Sequence, residues 1–160
     1  MPKDFTLPTE LSDVKQGRSI HFRVYGPAVP QGSKTGFVIP GTKRVVLKES
    51  GKGHKDWRRA VSQTAGEVAE TENWVPLDGP VMMEIIIYKT APKTPKWKAE
   101  GLPDTRPDAD KLARSIDDAC EGILYTIDSK ITDLFVQKRF GLPGAFVRCT
   151  ELLELANPKS

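Results

Sequence analysis

Histidine, cysteine and long apolar runs are scarce in this chain, and each scarcity removes a class of function. Only two cysteines occur, Cys120 and Cys149, far apart and in no Cys-x-x-Cys pair. That excludes a multi-bridge disulfide scaffold and a dithiol redox motif, and predicts two reduced core thiols. The two histidines, His21 and His54, add too few ligands for a zinc site. The longest aliphatic run is Ile85-Ile86-Ile87, far short of the roughly 20 residues of a membrane span. The first residues carry no apolar leader core. A cytoplasmic protein without membrane contact is expected.

Neither charge sign is in large excess: 24 Lys and Arg face 21 Asp and Glu, for a net +3. The distribution is more informative than the sum. Acids gather around 104–133, and basic residues cluster at 43–59, 89–98 and 138–148. A negative centre with positive flanks suits a phosphate backbone brought to a metal ion. The length of 160 residues fits one domain, expected over 18–155 behind a flexible tail at 1–17.

Periodicity divides the domain. Residues 18–25 alternate, with Ile20, Phe22 and Val24 on one side, and predict a half-buried strand. The segment from Pro30 to Gly36 is rich in Gly and small polar residues and reads as a loop without a Walker A pattern. Pro40-Gly41 then marks the turn of a small hairpin. Trp57, Val61, Ala65 and Val68 recur at helical spacing over about 55–70, with Trp57 as a core anchor. Residues 81–88 form a strongly β-prone run and predict a central strand. The lysine- and proline-rich segment 89–105 is a long loop of the kind that is often functional. A second helix is predicted over 109–121, with Leu112, Ile116 and Ala119 as its apolar stripe and Gly122 as its stop. Asp108 is its cap candidate, the carboxylate facing the free first-turn amides. Strands are predicted at 131–139 and 145–153. The expected fold is α+β: a mixed sheet of 18–25, 81–88, 131–139 and 145–153, with two main helices packed on it.

The chemistry concentrates around the second helix. Asp108 and Asp110 stand at its start, Asp118 lies two turns beyond Asp110, and Asp128 follows its end. Two to four aspartates suffice to hold Mg²⁺, which keeps several of its own waters. Spacing alone leaves two readings open. One is a metal cluster. The other is a cap, an i,i+4 surface ladder through Arg114, and a turn residue.

The segment Asp108-Ala109-Asp110-Lys111-Leu112-Ala113-Arg114, then Asp118, Gly122 and Ile127-Asp128-Ser129-Lys130-Ile131, resembles the RusA family of phage and bacterial Holliday junction resolvases. Val24-Tyr25-Gly26-Pro27 through Gly32 resembles the same family's strand and Gly-x-Pro-x-Pro-x-Gly element. The resemblance implies essential aspartates at Asp108, Asp110 and Asp128, a fourth acid at Asp118 and a basic helper at Arg114. It implies a homodimer, a divalent cofactor (Mg²⁺, with Mn²⁺ as an alternative), and paired symmetric nicks in four-way or other branched DNA during recombination and repair. A phage or prophage origin is implied with it. Lys111 replaces the family's usual Asn, Arg114 its Lys, and Ile127 the first acid of an Asp-Asp pair. Asp117 matches no family position and is expected to be solvated. Lys34, Lys52, Lys55, Lys93, Lys96, Lys98 and Lys111 are the candidate DNA-backbone contacts. The rival functions are a non-catalytic branched-DNA binder, in which the acids are structural, and a metal-dependent nucleotide hydrolase.

Overall fold

The computed structural model describes residues 14–32, 34–38, 43, 45–49, 53–93 and 101–153, with backbone alone at 34–38 and 45–49. Alternating apolar residues build β1 (Gln16–Tyr25), whose Ile20, Phe22 and Val24 are buried. The strand begins two residues before the expected domain start, so Gln16 and Gly17 belong to the sheet rather than to a tail. Residues 1–13 lie outside the described residues. Next comes a hairpin of β2 (Lys34–Val38) and β3 (Val45–Glu49), pairing Phe37 with Val46. Lys34, expected in a loop, opens β2 instead, because the strand pairing extends back to Glu49.

Trp57, Val61, Ala65 and Ala69 recur every four residues on α1 (His54–Thr71), and all four are buried. That spacing places them on one face. A Trp57→Ala change would cost about 3–5 kcal/mol. β4 (Val81–Lys89) is apolar on both faces and central, as the uninterrupted Val-Met-Met-Glu-Ile-Ile-Ile run predicts. α2 (Ala109–Cys120), a single 3₁₀ turn (Asp128–Lys130), β5 (Ile131–Phe140) and β6 (Gly144–Leu152) complete the chain. Gly144 leads β6 in beside β1, where a Cβ would overlap the Val24 carbonyl oxygen.

The four long strands form one mixed sheet in the order β1-β6-β4-β5. β6 runs antiparallel to both β1 and β4, and β4 runs parallel to β5. The expected α+β architecture, with the same four strands and two helices, is the one observed. Val81, Met83, Ile85 and Ile87 share a core with the apolar faces of the helices. Met82, Glu84 and Ile86 alternate onto the opposite face and are also buried. There Glu84 is fully buried and pairs with its register partner Arg148 on β6, whose Nη2 donates to Glu84 Oε1 at 2.7 Å.

Parallel strands need a long crossover, and α2 is the helix of that crossover between β4 and β5. It therefore runs against them. Its start lies at the C-terminal end of the parallel pair and its end lies where β5 begins. In open α/β sheets that C-terminal edge is where ligands bind.

Candidate active site

The start of α2 is held from three sides. Lys89, the last residue of β4, donates from Nζ to the Arg106 carbonyl oxygen at 2.7 Å and to Thr105 Oγ1 at 3.2 Å. Lys138 on β5 donates to the carbonyl oxygens of Thr105 at 2.8 Å and Pro107 at 3.1 Å. Register explains the convergence, because Lys138 is paired with Ile87, two residues before Lys89. On the third side, the Gln31 amide donates to the Lys111 carbonyl at 3.1 Å, docking the segment 26–32 onto the first helical turn. The sequence reading places Lys89 in the long loop 89–105 and assigns Lys138 no role. Two parallel strands ending side by side could have signalled both.

Asp108 occupies the N-cap position in extended conformation, but its side chain makes no cap hydrogen bond. The expected carboxylate-to-amide cap is therefore not formed. Instead Asp108 Oδ2 lies 3.4 Å from Lys111 Nζ, with about half of each side chain exposed. Asp110 follows in the first turn and is exposed, and Arg114 is exposed one turn later. Two accessible carboxylates and two cations thus share the opening of the helix.

A second acidic group forms at the other end. Asp117 is only 8% exposed, so it is not the solvated residue expected from the sequence. It lies four residues after Ala113 and three before Cys120, both buried, so helical spacing puts it on the covered face. The turn after α2 folds back over it, and Tyr125 Oη donates to the Asp117 carbonyl at 2.6 Å. Asp117 Oδ1 is buried without a hydrogen-bond partner among the described residues. Burial first, then the charges of Asp118 and Asp128, push the Asp117 carboxyl up to about 7. Asp128 opens the 3₁₀ turn and is exposed, and its amide donates to Glu121 Oε2 at 3.0 Å. Burial also raises the Cys120 and Tyr125 groups and pushes the Cys149 thiol up to about 12, as befits inert core thiols.

Segment 77–78 pins the returning turn. The Leu77 amide donates to Leu124 O and the Thr126 amide to Leu77 O, each at 3.0 Å. Asp78 accepts from Thr126 Oγ1 at 2.8 Å and lies 3.5 Å from Lys130 Nζ, contacts that hold its carboxyl below the usual range.

The two acidic groups do not merge within one chain. A helix of this length spans about 18 Å, with Asp108 and Asp110 at one end and Asp118 and Asp128 beside Asp117 at the other. Among the described residues, no group of three or more His, Cys, Asp or Glu side chains is close enough to hold a metal ion. Each group offers carboxylate oxygens, the donor type a hydrated divalent cation takes. The carboxylates of Asp108 and Asp110 are accessible to a hard divalent cation of the kind that keeps several of its own waters. The unpartnered Asp117 oxygen is a donor atom in want of a proton or a cation.

Of the candidate DNA contacts, Lys55 and Lys93 are exposed and Lys111 is half-buried beside Asp108. Lys34 lies in β2, while Lys52, Lys96 and Lys98 lie outside the described residues. No helix among the described residues is long and apolar enough to cross a membrane.

This arrangement has relatives. The chain is 33% identical over 128 residues to a protein of Bacillus subtilis (strain 168) described as uncharacterized protein YqaN, an alignment covering 74% of this chain and 86% of that one. Residues 27–150 match the family described as Endodeoxyribonuclease RusA. That match takes in the docking segment 27–32, both bracing lysines and both acidic groups, and by it the chain belongs to the RusA family of endodeoxyribonucleases, as its Asp108-x-Asp110 segment implied.

Proposed function

We propose that this endodeoxyribonuclease resolves four-way and other branched DNA by paired symmetric nicks, with Asp108, Asp110, Asp118 and Asp128 as the acids of its divalent-metal site. The observation that carries the reading is the Asp108 carboxylate, placed at a helix N-cap yet left without a cap hydrogen bond. A carboxylate withheld from its usual local partner is available to a cation. When bound, Mg²⁺ or Mn²⁺ supplies an activated water and charge stabilisation at the phosphate.

The chain's own residues divide the remaining work. Asp108 and Asp110 offer oxygens at the solvent-facing helix start. Arg114, exposed one turn on, neutralises the scissile phosphate or the departing oxygen, its planar fork suited to two phosphate oxygens. Lys111 screens Asp108 and approaches the same strand. Lys55 and Lys93, with Lys34, Lys52, Lys96 and Lys98, hold the DNA backbone.

A homodimer suits this division. Within one chain Asp118 lies two turns of α2 beyond Asp110, about 12 Å along the helix axis. In a twofold dimer, contacts are reciprocal. The Asp108 end of one copy facing the Asp128 end of the other would form two equal sites, as paired nicks in a symmetric junction need. A cytoplasmic setting, where chromosomal or phage DNA recombines, fits this reading.

The test mixes the protein with a labelled four-way junction, linear duplex and a nucleoside triphosphate, in Mg²⁺ or in EDTA. Mg²⁺-dependent nicks in the junction are expected, lost in Asp110→Asn while binding survives. Junction binding with no cleavage in Mg²⁺ or Mn²⁺ would overturn the reading, as would phosphate release from the triphosphate with the junction left intact.

A further inference from the structure

A cavity of about 250 Å³ opens at the C-terminal edge of β4 and β5, behind the start of α2. Pro27, Ala28, Pro107 and Pro143 wall it, Ile87 and Leu112 close its inner end, and Lys89 and Lys138 supply its charge. Among the described residues, no acidic residue lines it. On the other side of Pro107 lies a second recess of about 210 Å³, lined by Pro30, Arg106, Asp108 and Lys111. The inner cavity is apolar and cationic, and the outer recess holds a candidate metal ligand between two cations.

We propose that the inner cavity captures a single unpaired nucleobase of the DNA strand whose phosphate occupies the outer recess beside Asp108. The inference rests on the branched-DNA reading above and assigns that reading a site of structure recognition.

Size limits the occupant first. The volume falls below the roughly 300 Å³ at which pockets for drug-sized molecules begin, and it suits one heterocycle. Wall chemistry limits it next. Three proline rings and three aliphatic side chains favour a flat apolar face over a phosphate, whose charge they cannot solvate. The edge chemistry then selects a base. A lysine ammonium has three donors, and Lys89 and Lys138 each spend two on the 105–107 segment, Lys89 on the Thr105 hydroxyl and the Arg106 carbonyl and Lys138 on two carbonyls. Among the described residues this leaves one N–H on each for an acceptor-rich edge, such as O2 and N3 of cytosine or O6 and N7 of guanine. The two recesses share Pro107, so base and phosphate of one nucleotide would straddle that residue.

A stacked and paired base cannot enter. Extrusion costs least where stacking is already interrupted, which is the case at a branch point. The cavity therefore discriminates branched from linear DNA by what it can fill.

The test is an abasic walk. Four-way junctions carrying one abasic nucleotide at successive positions around the branch are titrated against the wild-type protein in EDTA, beside linear duplex. At one position in each symmetry-related strand, loss of the base should weaken binding about tenfold. Ala28→Leu fills the cavity. It should bind the intact junction as weakly as the wild type binds the abasic one, with unchanged duplex affinity and an unchanged circular dichroism spectrum. A walk in which no position exceeds twofold overturns the proposal while leaving junction cleavage intact, and it needs no variant. Ala28→Leu that keeps the full abasic response overturns it too. A protein that binds the junction no better than duplex defeats both this inference and the branched-DNA reading.

Discussion

Lys138 Nζ donates to the carbonyl oxygen of Pro107 at 3.1 Å, joining the C-terminal half of β5 to the residue just before Asp108. With the bond to Thr105 O, one ammonium holds two carbonyls of the segment that delivers the acidic pair. Groups that orient metal ligands typically cost 10–100-fold when removed. Lys138→Met should therefore lower junction cleavage by about 10–100-fold in saturating Mg²⁺ and speed amide exchange at 105–110. Lys138→Arg, which keeps the charge and two donors, should restore part of both. Exchange at 105–110 that stays at the wild-type rate in Lys138→Met would show that the brace does not order the segment.

The separation of the two acidic groups gives a mixing experiment. The Asp110→Asn and Asp128→Asn variants should each lose at least about a hundredfold in cleavage, a loss of the size seen when one electrostatic group is removed from a preorganised site. If each site joins the Asp108 end of one copy to the Asp128 end of the other, re-associated mixtures contain heterodimers with one intact site. Those mixtures should regain single nicks but not paired ones. Mixtures as inactive as the separate variants would place all four acids of each site in one chain.

Asp117 links acidity to stability. Its folded carboxyl is raised to about 7, so the folded chain keeps a proton that the unfolded chain releases near pH 4. The linked stability is complete below about pH 4 and is lost as pH rises through 7. The full difference corresponds to about 4 kcal/mol. In EDTA, Asp117→Asn should raise the thermal midpoint by several degrees at pH 8 and change it little at pH 4. Equal shifts at both pH values would assign the effect to packing rather than to charge.

The buried Glu84–Arg148 pair offers a double-mutant test. Arg148→Met leaves a fully buried carboxylate without its ion-pair partner, and breaking such a pair costs about 3–5 kcal/mol. Glu84→Met combined with Arg148→Met should recover most of that loss in urea unfolding. A double variant no more stable than Arg148→Met would mean that the pair does more than neutralise itself.

The amino-acid sequence alone determined the elements and the family. Alternation in β1, the β-prone run of β4 and the four-residue apolar spacing of α1 and α2 are local patterns. Local patterns survive without knowledge of what they pack against. The Asp108-x-Asp110 segment carried the family because short-range spacing around one helix start is also local.

Only the tertiary structure decided how those pieces meet. The parallel pairing of β4 and β5 turns α2 against them, which places Lys89 and Lys138 beneath Asp108 and sends Asp128 to the far end. Asp117 reads as one more acid in a polar stretch, and its burial follows from a turn that folds back twelve residues after α2 begins. Spacing along the chain leaves open whether the acids converge. A helix about 18 Å long keeps them apart in space, because a rigid rod fixes the distance between its ends whatever their chemistry.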